Sequence, residues 1–211
     1  MTKETASGYE KNYEGLTRFL KGHDFAANNA RLGLTDAEGG GAVVNFLGRD
    51  YVITEEGVRA LDGKPSRPND RSILIHYAIS KAGGEPGKEF LSLHQLPGHI
   101  RGNRDPGKDI LNKELVRRFE GASNPDFERA AKKVGGTFLG EHPSGGKHWH
   151  FDALPKLHMR AVFSEADDEF PVDLRVFFDS GALDHMGFEC LAFLNGCLCD
   201  ALVEAHLGKD D

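Results

Sequence analysis

Cysteine is scarce and poorly placed for a framework. Cys190, Cys197 and Cys199 are the whole complement of 211 residues, an odd set crowded near the end of the chain. Such a set excludes the paired disulfide lattice of a small secreted domain. Long apolar runs are also missing, and none approaches the ~20 residues that a membrane-spanning helix needs. The first thirty residues alternate charged and small groups (Lys3, Glu4, Glu10, Lys11, Glu14, Arg18, Lys21) and contain no stretch like a secretory signal. A cytoplasmic location without a membrane span is therefore expected. A basic excess is absent too: 33 acidic residues against 26 basic ones give a net charge of −7. That balance argues against a chain that grips nucleic-acid phosphates along its length. Finally, the sequence holds no HExxH, no GxSxG and no GxGxxG. Glu141-His142-Pro143-Ser144-Gly145-Gly146-Lys147-His148 ends like a phosphate loop, but Glu141 stands where the first glycine belongs and His148 where Ser or Thr would hold magnesium. It also leads into a strand, so no helix N-terminus would face a phosphate.

What is present reads as one globular domain. Hydrophobic residues make up 39% of the chain and charged residues 28%. That mixture suffices for a core without staples. Tyr9, Tyr13, Leu16 and Leu20 form one helical stripe, and a second helix is expected from an Asp24 cap to Gly33. Val43-Val44-Asn45-Phe46 and Tyr51-Val52-Ile53 flank a glycine turn and read as a hairpin. A nearly all-apolar helix follows an Asp70 cap through Ile79, and Phe90, Leu91 and Leu93 suggest a short strand. Leu111, Leu115 and Phe119 give another stripe; then an Asn124 cap with Pro125 opens a helix that Gly135-Gly136 closes. From Thr137 the period changes to two. Strands are expected at 137–139, 148–151, 157–163 and 172–178, the last two as an antiparallel hairpin. A final helix is expected over about 187–206. The fold class is thus α+β in a single domain: a helical part over about 8–135, a strand-rich part over about 137–178 forming an antiparallel sheet packed against several helices, and a C-terminal helix on the apolar face of that sheet.

Histidines carry the chemistry. His148 and His150 alternate on a strand, so both imidazoles share one face while Trp149 and Phe151 face the core. Two imidazoles on one face are a familiar pair of metal or cofactor ligands; the plainer reading is the wet side of an amphipathic strand. His142 and His158 lie close in sequence and are candidates to complete a site, as are His185 or a carboxylate such as Glu169. The candidate metal ligands are His148, His150 and Glu169, and the candidate cofactor contacts are His148, His150, His185 and Glu189. Cys190 and Cys197 share a helix face with Leu194, which suits core packing better than a thiolate site. Asp167, Asp168 and Glu169 suit a solvated turn, and Arg101, Arg104, Lys108, Arg117 and Arg118 a solvated basic surface. His76, in an apolar helix, reads as a hydrogen-bonded core histidine.

Several phrases fall in a familiar order: Phe46-Leu47-Gly48-Arg49-Asp50-Tyr51, Leu74-Ile75-His76-Tyr77, Leu96-Pro97-Gly98, Ala153-Leu154-Pro155, Asp168-Glu169-Phe170-Pro171 and Phe178-Asp179. Together, from about Tyr9 to Leu202, they resemble the Domain of Unknown Function 3786 family. That family is found mainly in anaerobic bacteria and archaea, and some members are joined to a cysteine-rich iron–sulfur domain like that of corrinoid iron–sulfur proteins. The resemblance implies a role near tetrapyrrole, corrinoid or one-carbon metabolism, but no activity and no catalytic residues. His76, Tyr77, Pro97, Gly98, Asp168, Glu169, Pro171 and Glu189 fall on the family's phrases; His148 and His150 match none. The expectation is a cytosolic binding or accessory protein for a divalent metal or a tetrapyrrole (heme or corrinoid), with a protein partner in one-carbon or corrinoid metabolism. Two alternatives stand beside it: an enzyme with a non-standard, metal-dependent His/carboxylate site, and a structural partner subunit.

Overall fold

The computed structural model describes residues 8–97 and 115–207. Gly98, Arg101, Arg104, Lys108 and Leu111, singled out above, lie outside them. Helix α1 (Gly8–Thr17) runs into one 3-10 turn (Arg18–Leu20). Helix α2 (Phe25–Leu32) starts where expected: the Asp24 side chain accepts from the Ala27 N–H, and Gly33 ends it in the left-handed region at φ 72°.

The expected hairpin of 43–46 with 51–53 is present, and two further short strands extend it within a part expected to be mainly helical. Strands β1 (Thr35–Asp36), β2 (Ala42–Phe46), β3 (Arg49–Thr54) and β4 (Gly57–Ala60) form an antiparallel sheet in that order. The first and last are too short for alternation to show in the sequence. The β2–β3 hairpin closes on Leu47 (φ 48°) and Gly48 (φ 79°), the two left-handed residues of a primed turn. A Cβ on Gly48 would stand 2.5 Å from the Lys133 carbonyl oxygen, so the turn and its packing both require glycine.

Helix α3 (Pro68–Ala78) begins at its proline, with Arg67 in the cap position. Asp70 therefore sits inside the first turn, fully buried, instead of capping. Helix α4 (Asn124–Lys133) is capped one residue earlier than expected: Ser123 and Asp126 form a reciprocal capping box. Strands β5 (Phe90–Leu91), β6 (Thr137–Glu141), β7 (Lys147–Leu154), β8 (Leu157–Ser164) and β9 (Asp173–Asp179) form a second antiparallel sheet, ordered β5-β9-β8-β7-β6. The expected hairpin is present, with Met159 opposite Phe178 and Ser164 opposite Asp173. The phosphate-loop lookalike is the β6–β7 hairpin.

A short helix α5 (Ala182–His185) leads into α6 (Phe188–Leu207), which packs between α3 and α4. One contiguous core joins all layers, and the chain is a single α+β domain. At its centre Phe127 of α4 stacks on Phe163 of β8 at 4.2 Å, with Phe119 and Trp149 at its edges. Each such ring contributes about 1.5–3 kcal/mol by leaving water. Because α6 is covered nearly all round, Cys199 is buried as well as Cys197, while Cys190 is half-buried. Among the described residues no helix is long and apolar enough to cross a membrane.

Candidate metal centre

Burial alternates along β7: Trp149, Phe151 and Ala153 face the core, and His148, His150 and Asp152 face outward. The expected sharing of one face by His148 and His150 holds. A third outward residue, Asp152, extends the row. The β7–β8 ladder then slips. Phe151 pairs with Met159 and Leu154 with Leu157, so Asp152 and Ala153 together oppose the single residue His158. Such a bulge re-aims side chains and raises local twist. Here it sets the Asp152 carboxylate between two imidazoles. Oδ1 lies 2.8 Å from His150 Nε2 and 3.3 Å from His158 Nε2. The two rings stand edge to face, centroids 5.1 Å apart.

The trio rests on rigid supports. Asp179, fully buried at the end of β9, accepts from the backbone N–H of His158 at 2.8 Å, and from those of Gly87 and Gly181 at 2.8 and 2.9 Å. Its side chain thereby continues the β8–β9 ladder by one position and fixes His158. The β7–β8 turn is tied down by Tyr77, whose hydroxyl accepts from the Lys156 N–H and donates to the Leu32 carbonyl. Phe90 flanks His150 at 6.0 Å between centroids. The His150 and His158 side chains are 22% and 26% exposed and Asp152 is 71% exposed, so the imidazoles are held by packing while the carboxylate meets solvent. Asp152 also stands on the wall of a cleft of about 530 Å³, shared with Gly33, Thr35, Val44, Asn45 and Asp50 of the first sheet and its approach.

These are metal-binding dimensions. Two ligands each ~2.0–2.1 Å from a zinc-like ion stand about 3.3 Å apart at the tetrahedral angle. All three donor atoms lie within 4.8 Å of one another, the one such group among the described residues. Two imidazoles and one carboxylate suit zinc and its first-row neighbours and leave coordination positions open.

The remaining candidates fall elsewhere. His148 pairs with His142, centroids 5.2 Å apart, one step along the same face. Burial first, then the Arg160 charge and the neighbouring imidazoles, push its pKa below the ordinary histidine range. Glu169 is exposed in the β8–β9 connection, beyond the Ser164–Asp173 pair and several residues along β8 from Arg160, which faces His150. His185 is buried on α5 against the Tyr77 ring, and Glu189 is exposed in the first turn of α6. Thus His150 joins a site, and His148, His185, Glu169 and Glu189 are not brought into it. His76 is half-buried. Asp152 was not singled out from the sequence, although the alternation His148, His150, Asp152 carries the signal. His158 was named only as one of several candidates to complete a site.

An antiparallel α+β domain with an open His/Asp/His cluster on one sheet face is thus the class that fold and site define. The profile of the family described as Domain of unknown function (DUF3786) matches residues 24–201, and the chain belongs to that family. Comparison with curated proteins found no match, and comparison with solved structures found none either.

Proposed function

We propose that this protein is a cytosolic metal-binding accessory protein that holds one divalent first-row transition ion on His150 Nε2, Asp152 Oδ1 and His158 Nε2. The observation that carries this reading is the bulge at Asp152 and Ala153, which brings a carboxylate within ligand spacing of two imidazoles from adjacent strands. Neutral imidazoles with a carboxylate favour zinc, iron, cobalt or nickel over calcium or magnesium, which prefer all-oxygen sites. The trio also favours a bare ion over a tetrapyrrole, because a tetrapyrrole metal takes axial donors singly and not three on one side. A protein partner in one-carbon or corrinoid metabolism rests on the family context alone. The enzyme alternative draws on the same open coordination positions.

Purification without chelator under anaerobic conditions, followed by elemental analysis and a visible spectrum, tests the proposal. The expected result is close to one equivalent of a transition metal, without a Soret band, and its loss in a His150→Ala/His158→Ala double variant that stays folded. A metal-free wild type that also refuses added zinc and cobalt would sink it.

A further inference from the structure

We infer that the centre is built to bind a small oxyanion, a carboxylate or a phosphate group, which takes an open position on the ion and is clamped by Arg160. This rests on the metal-site reading above. Three protein donors leave a transition ion at least one exchangeable position. With two neutral imidazoles and one carboxylate, a divalent ion keeps a formal excess of one positive charge. Arg160 adds a second. It lies directly across the ladder from His150 and two residues from His158, so its side chain emerges on the same face.

The guanidinium is held in place without being neutralised. Its carbon stands 3.9 Å from the centre of the Phe90 ring, the ring that also flanks His150. Stacking on an aromatic face orients a guanidinium and leaves its edge N–H groups free to donate. Arg49, Arg67, Arg118, Arg129 and Arg175 each pair with a carboxylate. Among the described residues Arg160 has none, and its Nε is buried without an acceptor. A buried donor left unmet is unfavourable unless something else supplies the acceptor. An oxyanion bridging metal and guanidinium supplies it, and the Asp152 side chain, 71% exposed, leaves the cluster open to solvent. Arg160 would act on the ligand and not on the ion.

The test uses the full chain loaded with Co²⁺, whose visible bands report the inner coordination shell. Acetate and inorganic phosphate are titrated separately, with chloride as the control anion. The expected result is a saturable spectral change with acetate or phosphate, the tighter of the two identifying the ligand's head group. Arg160→Gln should keep Co²⁺ affinity within about twofold yet weaken the anion by about tenfold or more, the size of one lost charge-assisted contact. Arg160→Lys keeps the charge and most of the stem, and should fall between them; it stands in if the glutamine variant folds poorly. A wild type that binds Co²⁺ but ignores both anions, or variants that bind them as tightly as wild type does, overturns the inference alone. A wild type that binds no Co²⁺ overturns the metal reading and this inference with it.

Discussion

Two carboxylates sit at the centre of two polar clusters in this domain, and their surroundings are opposite. Asp70 is fully buried beneath α3. Its Oδ2 accepts from Tyr51 Oη at 2.5 Å and Arg67 Nε at 2.6 Å, and the Cys197 thiol lies beside the carboxylate. Burial pushes the Asp70 pKa upward, against the opposing pull of Arg67, Tyr51 and the thiol. Asp152 is open to solvent, and its partners His150 and His158 can also bind a metal. Burial and partner chemistry separate the roles: Asp70 joins β3, α3 and α6, whereas Asp152 can exchange a hydrogen bond for an ion at little structural cost.

The sharpest way to break that comparison is to delete each carboxylate in turn. Asp70→Ala leaves Arg67 charged and mostly buried, and should cost about 3–5 kcal/mol in a urea melt. Asp152→Ala should change the same melt by no more than about 0.5 kcal/mol, as exposed positions do. Metal affinity should invert the order. Loss of Asp152, His150 or His158 should weaken zinc by more than the ~10–100-fold typical of an outer-shell partner, as read by competition with a chromophoric chelator. Removing only the buried hydroxyl is milder: Tyr51→Phe should cost about 1.5–3 kcal/mol, the usual worth of a hydrogen bond to a charged group, with metal affinity unchanged.

Acid sharpens the contrast less strongly. Burial, only partly offset by Asp179 and Asp184, lowers the His185 pKa, and burial lowers those of His76 and His148. A base whose folded pKa lies below its unfolded value binds more protons when unfolded, so stability falls as pH drops through the ordinary value of 6.5. Melts in EDTA should show this decline, and His185→Gln should flatten it; a wild-type profile level from neutral pH down to the carboxylate range would contradict it. The smallest effect is a rate difference between thiols. Burial raises all three cysteine pKa values, that of Cys199 to about 12. Native labelling should therefore begin at half-buried Cys190, with Cys197 and Cys199 reacting after unfolding.

The legibility of the fold followed segment length. Helix α2 between its Asp24 cap and Gly33, and the run of strands from Thr137, announce themselves because each spans enough residues to show its period. Strands β1 and β4, of two and four residues, do not, and they join the sheet only by pairing with the neighbouring strands β2 and β3. At the site, alternation places His148 and His150 on one face but says nothing of which neighbour completes it. That depends on the bulge, a one-residue slip between strands set by how Leu154 meets Leu157 across a two-residue turn. Asp70 misleads for the same reason. Its position before an apolar run suits a cap, but Tyr51 on β3 and Arg67 one turn earlier draw it inward.

Isothermal titration of zinc into EDTA-stripped protein tests the central claim most directly. The account expects one equivalent to bind wild type, with affinity that weakens in acid because protonated imidazole cannot ligate. Asp152→Ala, although as stable as wild type, should bind far more weakly. Equal binding by the two proteins, or none by wild type, would contradict it.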